Sequence, residues 1–409
     1  MSTMPVDPRL LVEQGGLAGA LAGYRRRIAS GDVGALPVVI GLVVIWGVFA
    51  LTSPNGSFLS PFNLTNLALQ SAATGTIAVG VVFVLLLGEI DLTVGILSGL
   101  ASAVMAVMNV TMGVPGPIAV GAALLTGIAI GLFQGLWITK FRIPAFVVTL
   151  AGLIAWQGAL LFVLGSTGTL NINDGFIKSL AGTFFQGVVA YGLGGLFILY
   201  VAATALLTRR SRLQAGLPAE PMVVLAIRVI VIGLLVAVAI FVLLQDAERG
   251  LPLSLVILVA LVVVMDFVAR RTRFGRMIFA VGGNAEAARR AGIKVDRVRT
   301  AVFTMAGFFA AVGGVLAASR LLAVNQSAGS GDVLLNAIAA AVIGGTSLFG
   351  GRGTVWAALL GILVIQSISN GMDLLSFESS VKFMITGAVL LAAVTIDAVA
   401  RRGRESAGR

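Results

Sequence analysis

The chain has no cysteine and no histidine, and charged residues make up only 11% of its 409 positions. The first absence excludes disulfides, thiolate metal sites and cysteine nucleophiles; the second removes the commonest general base and metal ligand. No GxxxxGK[ST] run occurs, so a P-loop for nucleotide phosphates is missing as well. Most catalytic and metal-binding constellations are thereby closed. The scarcity of charge excludes a soluble globule too, because with 58% hydrophobic residues and a mean hydropathy of +1.05 there is too little polar surface to cover one. A net charge of +11 does not point to nucleic acid. Its cations lie beside apolar runs, where they orient membrane spans and meet anionic lipid.

What is present is a series of apolar stretches. A hydrocarbon core about 30 Å thick needs roughly 20 apolar residues per helix, and runs near that length recur from residue 35 to residue 399. The candidate spans are about 35–52, 64–87, 92–112, one ending at Thr139, one opening at Pro144, then 186–208, 222–244, 252–269, 300–323, 333–348, 354–372 and 380–399. The expected fold class is all-α, a polytopic helical membrane protein with 10–12 transmembrane helices. The lower counts apply if a Gly-rich turn is re-entrant or a helix is broken. The chain divides into an N-terminal segment 1–33 without a signal-peptide cleavage pattern, a membrane domain 34–400 and a tail 401–409.

Lys and Arg should alternate between rich and poor loops. Arg25 to Arg27, Lys140 with Arg142, Arg209 to Arg212, Arg352, and Arg401 with Arg402 and Arg404 fall on one side; Lys178, Arg249 and Lys382 fall on the other. Both termini are therefore expected in the cytoplasm. The segment Arg270 to Arg299, RRTRFGRMIFAVGGNAEAARRAGIKVDRVR, holds nine of the 28 Lys and Arg residues and is the main cytoplasmic loop. Within it Gly282 and Gly283 break the chain, Asn284 caps, and Glu286 to Ala291 form a short helix stopped by Gly292.

Two acids interrupt apolar sequence at GEIDLTVG, residues 88–95. A carboxylate inside a membrane is costly and lines a cavity or finds a partner. The plainer reading is a turn at the inner membrane edge, with Asp91 capping the next helix, Glu89 solvated and no cation beside them. Elsewhere the span interiors offer neutral groups: Gln70, Thr74, Gln134, Asn336, Thr346, Ser347, Gln366, Ser369 and Asn370. These suit a neutral, hydroxyl-rich solute, and they equally serve as glue between helices. Candidate translocation-path or gating residues are Gln70, Glu89, Asp91, Asn336, Thr346 and Ser347. The polar stretch STGTLNINDGFIKSLAG, with Asn171, Asn173 and Asp174, reads as a solvated outer loop or a surface for a partner protein. Sliding IAVGVVFVLLLGEIDLTVG onto IAAAVIGGTSLFGGRGTVW aligns the opening Ile-Ala, the Gly-rich break and a Thr-Val, the pattern an internal duplication leaves.

The segment NAEAARRAGI, residues 284–293, resembles the ATPase-coupling loop of bacterial ABC-importer permeases, with an E-A-A-x-x-x-G arrangement at Glu286, Ala287, Ala288 and Gly292. The Ile-x-Leu-Pro ending of the fuller motif is missing. Together with GEIDLTVG, PAFVVTLAG, IGGTSLFGGRGTVWAALLG and NGMDLL, it makes the chain resemble the permease subunit of the ribose/xylose class of sugar importers, the xylose type above all. That resemblance implies a non-enzymatic transport subunit of the bacterial cytoplasmic membrane that moves a monosaccharide by alternating access. Its implied partners are a second copy of itself, a cytoplasmic ATPase that uses ATP and Mg, an extracytoplasmic sugar-binding protein and membrane lipid. Asn284, Glu286, Ala287, Ala288 and Gly292 would form the docking helix. The alternatives are an ion-coupled secondary sugar carrier, or an ABC permease for another cargo such as a nucleoside.

Overall fold

A computed structural model of the chain describes residues 36–217 and 219–406. The segment 1–33 lies outside the described residues, as do residues 407–409 of the tail. The helices are α1 (Leu36–Thr52), α2 (Pro61–Leu86), α3 (Val94–Ala106, prolonged by a wider turn over Val107–Thr111), α4 (Gly116–Phe141), α5 (Ala145–Leu164), α6 (Gly175–Gly182), α7 (Gly187–Gln214) and α8 (Met222–Leu243). They continue as α9 (Leu253–Arg271), α10 (Arg273–Gly283), α11 (Ala285–Arg290), α12 (Val295–Leu321), α13 (Asp332–Ile343), α14 (Trp356–Leu374) and α15 (Ser379–Ser406). Residues 401–406, assigned above to a tail, thus continue α15.

Among the described residues nine helices are long and apolar enough to cross a membrane, and Leu36–Thr52, Asp332–Ile343 and Ser379–Ala392 are shorter apolar helices. Every expected apolar segment is helical, yet the tenth is not a continuous span. α13 has 12 residues, about 18 Å at 1.5 Å per residue, against a core about 30 Å thick. Before it, residues 326–331 run non-helically along α3, so closely that a Cβ on Gly99 would lie 1.9 Å from the Ala328 carbonyl oxygen. Backbone of this kind is tolerated at membrane depth where protein covers it.

α12 is the central element, 27 residues long and packed against α4, α2 and α3. Its seam with α4 is backbone on backbone: a Cβ on Gly307 would come within 2.2 Å of the Gly127 carbonyl oxygen. Only glycine permits that approach. α2 supplies the densest part of the core, with Val79 to Leu86 buried throughout. Residues 185–251 form a second compact unit, in which α7 and α8 pack as a hairpin and Arg228 pairs with Glu220 at 2.8 Å. Its helices expose Leu196, Leu199, Ile230, Leu234 and Leu235, an apolar surface that suits lipid.

The two ends of the main bundle differ in charge. One carries the basic loop. At the other, Lys178, Lys382 and Arg320 are found, Arg320 in the last turn of α12 and so outside the loops. There the stretch after α5, with Asn171 and Asn173 exposed, is held in regular structure. Strand β1 (Thr169–Asn171) pairs antiparallel with β2 (Ala323–Asn325), and the Ser319 hydroxyl donates to the Ile177 carbonyl at 2.6 Å. Asp174 accepts from Ile177 N at 3.0 Å, capping α6, and from Gly116 N at 3.2 Å, tying that cap to the start of α4.

These bonds, the one from Ile177 N–H first, hold the Asp174 carboxyl below its usual range. A folded-state value below the unfolded one means that the stabilisation is complete above the ordinary carboxylate range and lost as the pH falls through the folded value. The gap in thermal midpoint between the wild type and Asp174→Asn should be full at about pH 6 and close as the pH drops below about 4. A gap that stays constant over this range would contradict the assignment.

Candidate functional site

The basic loop folds into two helices, one more than expected. α10 starts where the Thr272 hydroxyl accepts from Gly275 N at 3.1 Å and presents two faces: Gly275, Ile278 and Val281 are buried, while Arg273 and Arg276 are exposed. The spacing of Phe274, Ile278 and Val281 is the sequence signal for it. Gly282 and Gly283 are the last two residues of α10, and the break expected at them falls at Asn284. Gly282 also serves close approach. A Cβ there would sit 1.7 Å from the Leu86 carbonyl oxygen and 2.7 Å from Gly351 N.

α11 follows at once. The Asn284 side chain accepts from Ala287 N at 2.9 Å, as an N-cap should. At the other end Gly292 N donates to the Arg289 carbonyl and Ile293 N to the Ala288 carbonyl, each at 3.0 Å, with Gly292 at φ +84°. That pair of bonds around a left-handed residue is a Schellman stop. Ala288 is buried and Ile293 half-buried against the main core, so this side of α11 anchors it. Asn284, Glu286 and Ala287 are exposed. Glu286 pairs with Arg290 at 3.4 Å and Arg289 with Asp296 at 3.5 Å; both pairs are exposed, worth about 0–1 kcal/mol at most.

The GEID turn lies against this loop. The Leu86 carbonyl, left without a helical donor at the end of α2, accepts from Gly351 N at 2.9 Å. Gly88, at φ +77°, abuts the Phe349 carbonyl. Glu89 is not solvated: its side chain is 9% exposed and reaches Arg299, in the second turn of α12, at 2.5 Å. The cation that the turn lacked in sequence therefore comes from the basic loop. The contact is an ion pair by distance. Burial pushes the Glu89 carboxyl above its ordinary value, and the Arg299 charge only partly offsets this. Removing one partner of a buried pair typically costs about 3–5 kcal/mol, because the other charge stays buried.

Asp91, 4% exposed, accepts from Thr93 N at 2.8 Å and from the Thr93 hydroxyl at 2.6 Å. It closes a turn ahead of α3 and does not cap the helix itself. Burial pushes its carboxyl up, opposed by the Thr93 bonds. Gln134 of α4 donates to the Thr93 hydroxyl at 3.1 Å, which extends the cluster.

The candidate path residues separate into two places. Thr346 and Ser347 lie in the turn after α13, with Glu89 and Asp91, at the basic end. Thr346 is buried and packs beside Gly353; the Ser347 hydroxyl accepts from Phe349 N at 3.3 Å. Gln70 lies elsewhere, accepting from Gln366 of α14 at 2.7 Å, on a seam that also holds the Asn63–Asn370 pair and the Trp46–Ser367 bond. Asn336 is half-buried on α13.

Set beside known proteins, residues 63–394 match the family described as the permease component of branched-chain amino acid transport systems. The chain belongs to this permease family. It is 36% identical over 365 residues to the xylose transport system permease protein XylH of Escherichia coli K12, covering 89% of this chain and 92% of that one. The same-named protein of Haemophilus influenzae is 36% identical over 367 residues, covering 88% and 95%. The ribose import permease protein RbsC of Bacillus subtilis is 32% identical over 358 residues, covering 88% and 91%. No solved structure matches the chain. The chain is thus a multi-pass permease whose relatives serve sugar transport, as its motifs implied.

The two ends of α11 can be tested separately. Asn284→Ala should cost about 1 kcal/mol of local helix stability, and Gly292→Ala about 1–2 kcal/mol from a Cβ in the left-handed region. No atom lies within 4 Å of that Cβ, so the second effect is backbone strain without a clash. Amide exchange should quicken across residues 285–291 in both variants while α12 keeps its protection. Unchanged exchange there would refute the capping assignment.

Proposed function

We propose that this chain is the membrane-spanning subunit of an ATP-driven importer that moves a monosaccharide, xylose or a similar pentose, by alternating access. Two copies would form the translocating body in the cytoplasmic membrane, with the basic end and both termini on the inside. A separate ATPase, which binds and hydrolyses ATP with Mg, would dock on α11, and an extracytoplasmic sugar-binding protein would deliver cargo to the other end. The observation that carries this reading is α11 itself. Its helix is capped at both ends, buried along one side at Ala288, and presents Asn284, Glu286 and Ala287 outward. Such a helix can be pushed without melting and is joined directly to the central helix α12.

The relatives named for xylose and ribose transport favour a pentose. Neutral groups such as Gln70 and Gln366 between α2 and α14 suit a hydroxyl-rich cargo. An ion-coupled carrier is the rival reading, and buried Asp91 is the group it would use. Its oxygen is already engaged by Thr93, however, within a local turn.

In vesicles carrying the chain with its ATPase and the binding protein inside a loaded lumen, sugar movement should require ATP. Glu286→Arg and Gly292→Pro should each lower it about tenfold or more, the scale of coupling energies between sites, while both variants insert normally. Accumulation of sugar by the chain alone, abolished by a protonophore, would replace this reading with the carrier.

A further inference from the structure

Three turns distant in sequence meet around the end of α2: residues 87–93, the α10–α11 junction at Gly282 to Asn284, and residues 344–355. The links among them are backbone contacts: Gly351 N to the Leu86 carbonyl, Gly282 against that same carbonyl, and Gly88 against the Phe349 carbonyl. The Glu89–Arg299 pair joins the first of these turns to α12. Arg299 follows closely on α11, since only residues 291–294 separate α11 from α12, and the Arg289–Asp296 pair spans that link. Glu89, in turn, lies between α2 and α3 on a turn that passes through Gly88 at φ +77°.

We propose that Glu89 and Arg299 form the latch through which movement of α11 and the start of α12 is passed to the turn that begins α3, which makes them positioning residues for transport. The inference rests on α11 being the docking helix. A charge pair suits this task better than an apolar contact does. Dispersion contacts are forfeited within about an ångström of separation, whereas Coulomb attraction falls only with the first power of distance. Two long side chains can therefore follow one another through a displacement of several ångströms. A pair needed only for stability would be replaceable by well-packed apolar residues.

The test uses the complete reconstituted transporter and compares the wild type, Glu89→Gln/Arg299→Gln, Glu89→Gln alone and Arg299→Lys. Sugar moved per ATP hydrolysed, ATPase rate and thermal midpoint are measured. The double variant, which leaves no unpaired charge, should assemble and hydrolyse ATP within about twofold of wild type, while sugar per ATP falls about tenfold. Glu89→Gln alone, which leaves Arg299 without its partner, should lower sugar per ATP in the same way and lower the midpoint as well, and Arg299→Lys should keep the wild-type ratio. An unchanged ratio in the double variant overturns the latch, as does a parallel fall of uptake, ATPase rate and midpoint. Wild-type vesicles without ATP-dependent uptake would instead sink the importer reading on which the latch rests, a result distinct from both.

Discussion

An unmet carbonyl governs the basic end of this protein. α2 finishes at Leu86 deep in apolar surroundings, where water is not at hand to satisfy the last turn. Gly351 N supplies the donor, and Gly282 has to be a glycine for α10 to lie against the same group. Once that junction is made, the turn at 87–93 is brought to the start of α12 and Glu89 meets Arg299. A single hydrogen-bonding requirement thus places three loops, and the charges they carry, in one mechanical unit.

The body behind that junction is held together in two ways. Along α12 the contacts are backbone to backbone, as at Gly127 and Gly307, where dispersion over short distances replaces the hydrophobic drive that is absent between helices in lipid. Along α14 they are pairs of neutral side chains, Asn63 with Asn370 and Gln70 with Gln366. Neither kind carries a full charge, so neither incurs the desolvation cost of an ion in the interior. Charge is kept to the ends, where it can respond to partners and solvent.

How legible this was depended on how local the chemistry is. α11 could be read from Asn284 and Gly292, because a cap and a left-handed stop are settled within a few residues of themselves. α10 was legible only in the spacing of Phe274, Ile278 and Val281; its last two residues are glycines, and the packing of Gly282 onto Leu86 favours their helical form despite their poor propensity. α13 looked like a span because hydropathy does not register where a helix gives way to turns lying against a neighbouring helix. Asp174 looked like part of a polar loop, although both of its oxygens are engaged by elements before and after it.

By itself, the sequence determined the membrane class, the order of the apolar helices, the concentration of cations in one loop and the ends of the short helix within it. Each of these follows from composition, or from periodicity and capping that act over a turn or two. Only the tertiary structure decided that Glu89 has a partner, that Gly282 is a contact and that the crossing before α14 is broken. The reason is physical: ion pairs and close backbone approaches join residues far apart along the chain, and which of them meet is settled only when the helices pack.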